Sequence, residues 1–273
     1  MKKFNLYLAF SVAIIIIHLC LSFFDFGAYI WLADVVYIIA PVSAFLLGII
    51  LIRKFGLKNQ GVPLFFLVLG MFLFCVAEIL WLYFNYLKNI EPYPSMADVF
   101  FLAVYPITLV GLISKIRKDQ ISLSYKLIQQ FCPFVILLLI LTALVYNFGI
   151  IGAYVPEDSY ASNLVSMLYG VGDLFLVVAC FFVLVVTIEY KKGKMFWPWL
   201  FITLSYSVLL IGDVLFSANR EAYSTGSSIT PLIDIIWIMG YFIFGLGMVK
   251  FLEIIEGQES DILNKLKMEK GAR

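Results

Sequence analysis

Charge is scarce in this chain: Lys, Arg, Asp and Glu make up 14% of its 273 residues, against roughly 25% in an average soluble domain. That shortage excludes an ordinary soluble globular fold. The formal net charge of +1 carries no electrostatic footprint for nucleic acid. Histidine is almost missing as well. The single one, His18, lies in the apolar stretch 14–21, where a hydrogen-bonded core histidine is expected. A zinc hydrolase, which needs several imidazole or thiolate ligands, is excluded. The four cysteines, Cys20, Cys75, Cys132 and Cys180, fall in or at the edges of apolar runs without a Cys-x-x-Cys spacing. They read as small buried free thiols, not as disulfide or metal partners. No lysine occupies the middle of an apolar run, so the sequence offers no seat for a retinal Schiff base.

What is plentiful is apolar. Hydrophobic residues reach 63% and aromatic ones 17%, with a mean hydropathy of +1.01. A helix needs about 20 mostly apolar residues to cross a bilayer, and eight such segments stand out, near 5–23, 28–52, 62–86, 97–115, 128–150, 162–188, 195–218 and 231–252. The expected fold is an all-α polytopic membrane protein with eight transmembrane helices. Met1-Lys2-Lys3 resembles the charged start of a signal peptide, yet no small-residue cleavage site follows Leu21-Ser22-Phe23-Phe24, so the first segment is read as a retained helix. Of 19 basic residues, all but Lys88 and Arg220 fall at the N-terminus, in the loops 53–60, 115–126 and 190–194, or from Lys250 onward. Basic residues mark the cytoplasmic side. A multi-pass protein of the cell membrane with both termini cytoplasmic follows from this.

Three carboxylates in the first half recur in the second. Asp34 corresponds to Asp173 at an offset of 139 residues, Glu78 to Asp213 at 135, and Asp98 to Asp234 at 136. Phe101, Tyr105 and Gly111 after Asp98 correspond to Trp237, Tyr241 and Gly247 after Asp234, again at 136. Two tandem four-helix repeats in parallel orientation are expected, 1–118 and 119–252, packed about a pseudo-twofold axis along the membrane normal and followed by a tail at 253–273. Pro41 and Pro106 have Cys180 and Phe242 as counterparts. The halves have diverged, and kinks are expected at the two prolines.

A charged carboxylate at the centre of a spanning helix costs roughly 2.5–3.5 kcal/mol, so an intramembrane acid marks a functional site by default. On the expected topology all six acids gather in the outer leaflet. Asp98 also completes a capping box with Ser95, in which Ser95 accepts from the amide of Asp98 and the carboxylate reaches back to the amide of Ser95. Thr230-Pro231 likewise starts a helix just before Asp234. Caps do not account for Asp34, Glu78, Asp173 and Asp213, for which the structural alternative is a polar network tying helices together. Aromatic residues cluster at the same level, including Tyr37, Tyr86, Tyr93, Tyr169 and Tyr223, and most of them fit an interfacial belt. Trp31 and Asp34, Glu78 and Trp81, and Asp234 and Trp237 each lie three apart and share a helix face. The expected ligand-binding set is therefore Asp34, Glu78, Asp98, Asp173, Asp213 and Asp234 with Trp31, Trp81, Trp237, Tyr105 and Tyr241. Such a lining suits a small cationic ligand, a proton or a metal ion; the sequence identifies neither a particular metal nor a cofactor.

Tyr169-Gly170-Val171-Gly172-Asp173 fits the Gly-x-Gly-Asp pattern of presenilin-like intramembrane aspartyl proteases over four residues. That family takes its second aspartate from a Tyr-Asp pair on the preceding helix, where this chain has Tyr146-Asn147. Asp173 and Asp213 would be the only sensible dyad.

The stretch from Pro92 to Pro106, with Pro94-Ser95-Met96-Ala97-Asp98, the pair Phe100-Phe101 and then Tyr105-Pro106, resembles a motif in the N-terminal membrane regions of prokaryotic diguanylate cyclases and sensor kinases. The resemblance implies a multi-helix membrane sensor coupled to a cytoplasmic output domain. No cyclase, kinase or phosphodiesterase precedes Arg273, so the expectation is a sensor acting through a cytoplasmic signalling partner. That partner would dock on the 253–273 tail, where Ile255, Ile262 and Leu266 among charges suggest an amphipathic or coiled-coil helix. A non-enzymatic receptor in the lipid bilayer is the first reading, a proton- or cation-coupled transporter the alternative, and an aspartyl protease the third.

Overall fold

The computed structural model describes residues 2–23, 31–56, 61–88, 93–118, 135–136, 138–190, 195–224 and 226–271. Among these, regular structure is helical throughout: α1 (Lys2–Phe23), α2 (Trp31–Phe55), α3 (Gly61–Leu82), α4 (Met96–Lys118), α5 (Leu138–Ile151), α6 (Tyr160–Tyr190), α7 (Phe196–Ala218), α8 (Arg220–Ser224) and α9 (Thr230–Gly271). Apolar chain in a bilayer must satisfy its backbone polar groups within the segment, and the helix does so. Seven helices, α1–α4, α6, α7 and α9, are long and apolar enough to cross a membrane, which makes this a polytopic membrane protein.

The expected helices are met with changes at their ends. The fifth expected span is described from Leu138 onward as a shorter apolar helix, whose last stretch, Val145–Ile151, is wound as a π-helix. Much of its beginning, Cys132 and the 118/119 repeat boundary lie outside the described residues. A π-turn at Tyr83–Leu87 prolongs α3. The short α8 was not anticipated. The last span runs on into the tail as one continuous 42-residue helix. Both α2 and α4 continue through Pro41 and Pro106.

Helices α2, α3, α4, α6, α7 and α9 pack in that order into a closed ring, α9 returning to α2. Outside it, α1 lies against α2 and α9, and the wound end of α5 against α6 and α7. Hydrophobic burial gains little between helices in lipid, so close packing and interhelical hydrogen bonds hold such a ring. Leu67, Met71, Ile202, Tyr241 and Phe244 are among the side chains filling it. At one end, Glu256 of α9 receives Lys3 of α1 at 2.6 Å and Lys54 of α2 at 2.7 Å. Toward the other end the ring encloses a polar cavity.

Candidate functional site

The cavity, about 90 Å³ in volume, is lined by side chains from all six ring helices. Asp34 comes from the first turn of α2, Asp98 from the first turn of α4, Asp234 from near the start of α9, Glu78 from late in α3 and Asp213 from late in α7. α2, α4 and α9 run one way and α3 and α7 the other, so starts and ends meet at one level. Trp81, Trp237, Tyr105 and Tyr241 complete the expected residues that line it, joined by Tyr37, Phe74, Phe101, Phe216, Tyr223 and others. No lysine or arginine is among the lining residues.

Two expected residues are placed elsewhere. Trp31, at the first position of α2, is 41% exposed and does not line the cavity, so the pairing of its indole with Asp34 is not formed there. Asp173 is buried behind the wall, in hydrogen-bond contact with Asp213 and Tyr105.

Each cavity acid has an aromatic hydrogen-bond donor, and the donor comes mostly from another helix. Glu78 Oε1 accepts from Tyr37 of α2 at 3.0 Å and from Tyr241 of α9 at 2.7 Å. Asp213 Oδ1 accepts from the Trp237 indole of α9 at 2.8 Å, Asp98 Oδ1 from the Tyr169 hydroxyl of α6 at 2.6 Å, and Asp234 Oδ1 from Tyr223 at 2.7 Å. Asp34 pairs with the Tyr86 hydroxyl on the π-turn that prolongs α3. Burial first, and the Asp234 carboxylate beside it second, hold the Tyr223 hydroxyl well above its ordinary range, so it stays a donor. Tyr37, Tyr86, Tyr169 and Tyr223, which the sequence groups with an interfacial belt, are donors to cavity acids.

Asp98 serves twice. Its Oδ2 accepts from the amide of Ser95 at 2.6 Å, the reciprocal arm of a capping box, while Oδ1 takes the Tyr169 hydroxyl. The Ser95 hydroxyl accepts from Ala97 at 3.1 Å, one residue earlier than expected, and the Asp98 amide reaches the Ser95 carbonyl at 3.2 Å.

Two glycines set the position of the second-half acids. A Cβ on Gly212 would sit 2.5 Å from the Trp237 ring, and one on Gly172 2.5 Å from the Tyr105 ring. With no side chain there, each ring packs close against the neighbouring backbone and reaches the acid one residue on, Asp213 or Asp173. The glycines of the Gly-x-Gly-Asp pattern thus have a packing role, Gly170 lying close to the backbone of Gly149.

One regularity escaped the sequence reading. All five cavity acids are followed three residues later by an aromatic that also lines the cavity: Tyr37, Trp81, Phe101, Phe216 and Trp237. Asp173, the acid outside the cavity, is followed at that spacing by Leu176. The signal was available, since positions three apart share a face, yet only the tryptophan pairs had been drawn from it. Phe216 is central to the aromatic wall, with ring centres 5.0 Å from Tyr223, 5.7 Å from Tyr93, 5.7 Å from Trp237 and 6.5 Å from Trp81.

Two basic groups lie near the cavity without lining it. Arg220 lies 5.5 Å from the ring centre of the cavity-lining Tyr93, is ion-paired to Asp158, and donates at 3.3 Å to both Ser162 and Ser166. His18 is fully buried, its Nδ1 3.0 Å from the Ala33 carbonyl and its Nε2 3.9 Å from Asp234 Oδ2. Among the described residues, no group of three His, Cys, Asp or Glu side chains is arranged to hold a metal ion.

Comparison with family models, with curated proteins and with solved structures finds no match for this chain. The functional reading therefore rests on the cavity itself.

Proposed function

We propose that this protein is a membrane receptor module whose extracytoplasmic cavity binds a small ammonium-type cation. One observation carries the reading: an acid with an aromatic three residues on occurs five times around one cavity, with no lysine or arginine in the lining. Carboxylates supply charge and acceptors, ring faces add cation-π attraction, and a low-dielectric ring of helices strengthens both. At about 90 Å³ the cavity has room for a small organic ammonium ion. The spread of the acids favours a cation with several N–H donors over a metal ion gathered by one tight ligand set.

In this reading eight helices form two tandem four-helix repeats, which the ring order and the paired offsets support. The basic loops place both termini in the cytoplasm, and the tail engages a signalling partner, as in the sensor regions that the 92–106 stretch resembles. The test is a titration of the reconstituted protein with methylammonium, followed by the fluorescence of the cavity tryptophans Trp81 and Trp237. Saturable quenching is expected, weakened at least about tenfold in Glu78→Gln, the change that loss of a charge-assisted hydrogen bond produces. Absence of saturable binding in the wild type would sink the proposal.

A second reading, proton-coupled transport, is favoured by the carboxyl-to-carboxyl contact of Asp173 with Asp213. Uptake of radiolabelled methylammonium into vesicles separates the two: binding without flux supports a receptor, and pH-driven flux lost in Glu78→Gln supports a transporter. The same contact has the outline of an aspartyl dyad, and cleavage of a membrane-embedded substrate, abolished in Asp173→Ala, would replace both readings with a protease.

A further inference from the structure

Asp173 stands apart from the other five acids in three ways. It lies outside the cavity lining, lacks the aromatic three residues on, and faces another carboxyl group, Asp213, across the α6–α7 interface. It is 6% exposed, and its Oδ2 is fully buried without a hydrogen-bond partner among the described residues. Among the described residues, no basic group faces the pair. Tyr105 of α4 reaches Asp173, and the Trp237 indole of α9 reaches Asp213. Glu78 of α3, Tyr169 of α6 and Tyr241 of α9 are near enough for electrostatic interaction with Asp213.

Two carboxyl groups hydrogen-bonded to each other need a proton between them, because two carboxylates offer only acceptors. We propose that Asp173 and Asp213 form a buried proton-binding site behind the cavity, and that a cation entering the cavity is exchanged for this proton. The second clause rests on the ammonium reading given above; the first does not. Asp213 is the outlet, since it alone of the pair lines the cavity. On exchange the carboxyl O–H bond breaks, the proton leaves through the cavity to water, and the pair becomes doubly anionic beside the incoming cation. One positive charge enters and one leaves. The charge held inside the ring is unchanged, which avoids the large cost of adding an unpaired charge in a low-dielectric interior. Asp34, the repeat counterpart of Asp173, has Tyr86 as its hydrogen-bond partner, so the exchange site belongs to the second half.

Infrared spectroscopy of the reconstituted full-length protein tests the proton without any ligand. The wild type at neutral pH is expected to show the carbonyl stretch of a protonated carboxyl group that shifts in heavy water, and both Asp173→Asn and Asp213→Asn are expected to lose it. A wild type without such a band overturns the site, as does a band that survives at full intensity in both folded variants. Should one variant fail to fold, the other and the wild-type spectrum still decide. For the exchange, a pH-indicator dye in weakly buffered solution is expected to report proton release as methylammonium binds to the wild type, and none in an Asp173→Asn protein that still quenches with methylammonium. Equal release from both overturns the exchange. If methylammonium binds neither protein, the ammonium reading and the exchange fall together while the infrared result stands by itself.

Discussion

At the scale of single residues, the site depends on tyrosine hydroxyls that satisfy acids from across the ring. Glu78 has two such donors on one oxygen, Tyr37 and Tyr241. In water-soluble proteins a hydrogen bond to a charged group contributes about 1.5–3 kcal/mol, but interhelical hydrogen bonds in membranes average about 0.6 kcal/mol because the reference state also finds partners. The membrane value governs the single changes: Tyr37→Phe and Tyr241→Phe are each expected to cost about 0.6 kcal/mol, since the remaining tyrosine still serves Glu78. Together they leave the acid without either donor, and the double variant is expected to lose more than the sum, measured as a double-mutant cycle in reversible unfolding from mixed micelles. Additive losses would mean that the two hydroxyls act independently. Asp98 allows a cleaner separation, because it is both cap and cavity wall. The side-chain oxygen of asparagine can still accept from the Ser95 amide, so Asp98→Asn is expected to keep stability and weaken methylammonium binding, whereas Asp98→Ala also loses about 1 kcal/mol of stability. Equal binding by Asp98→Asn and the wild type would reduce this residue to its capping role.

At the scale of helices, contact distance between α7 and α9 decides whether Trp237 reaches Asp213. Gly212→Ala places a methyl group 2.5 Å from the Trp237 ring, so either the ring or the helix must shift. Overpacking of this kind costs about 1–3 kcal/mol, and the shift also removes the indole donor from Asp213; a lower melting temperature and a changed Trp emission are expected. Gly257→Ala, also in α9, is the contrast. Its Cβ meets nothing within 4 Å, so replacing glycine in a helix interior is expected to stabilise by about 0.5–1 kcal/mol. The same comparison shows what the sequence discloses. The long apolar runs located α1–α4, α6 and α7 to within a few residues, because period and length are properties of a segment alone. The six acids were conspicuous for the same reason: charge in lipid is costly wherever the helix packs. What stayed hidden depends on neighbours. The burial of Asp173 behind Asp213, the outward turn of Trp31 and the union of the last span with the tail follow from which helix lies next to which. Close contacts such as those of Gly172 with Tyr105 and Gly212 with Trp237 belong to that order, and no periodicity reports them.

At the scale of the whole molecule, α9 connects the cavity to the opposite end. It contributes Asp234, Trp237 and Tyr241 to the site and Glu256 to the contact with Lys3 and Lys54. Residues 234 and 256 are about 33 Å apart along the helix at 1.5 Å per residue, more than a bilayer's hydrocarbon core of about 30 Å. In the proposed receptor, a displacement of α9 at the cavity would reach the opposite end of the ring without an intervening loop. How much resists it depends on the clasp. The ion-pair side chains are accessible, Lys3 at 59%, Lys54 at 33% and Glu256 at 31%, and exposed pairs contribute only about 0–1 kcal/mol each. The clasp is soft, and helix shifts of about 1–2 Å, as in known interface switches, are within its reach. Raising the ionic strength to about 1 M shortens the screening length to about 3 Å. Protease cleavage after residue 253 is then expected to speed up while the emission of Trp81 and Trp237 stays constant; Glu256→Gln is expected to produce the same cleavage at low salt. In the wild type at low salt, methylammonium is expected to move both readouts, because only the ligand acts from the cavity end. If salt and Glu256→Gln change the tryptophan signal as much as the ligand does, α9 is not a one-way rod but part of a single cooperative unit. If the ligand changes the tryptophan signal and leaves cleavage untouched, the two ends are uncoupled and the helix carries no signal.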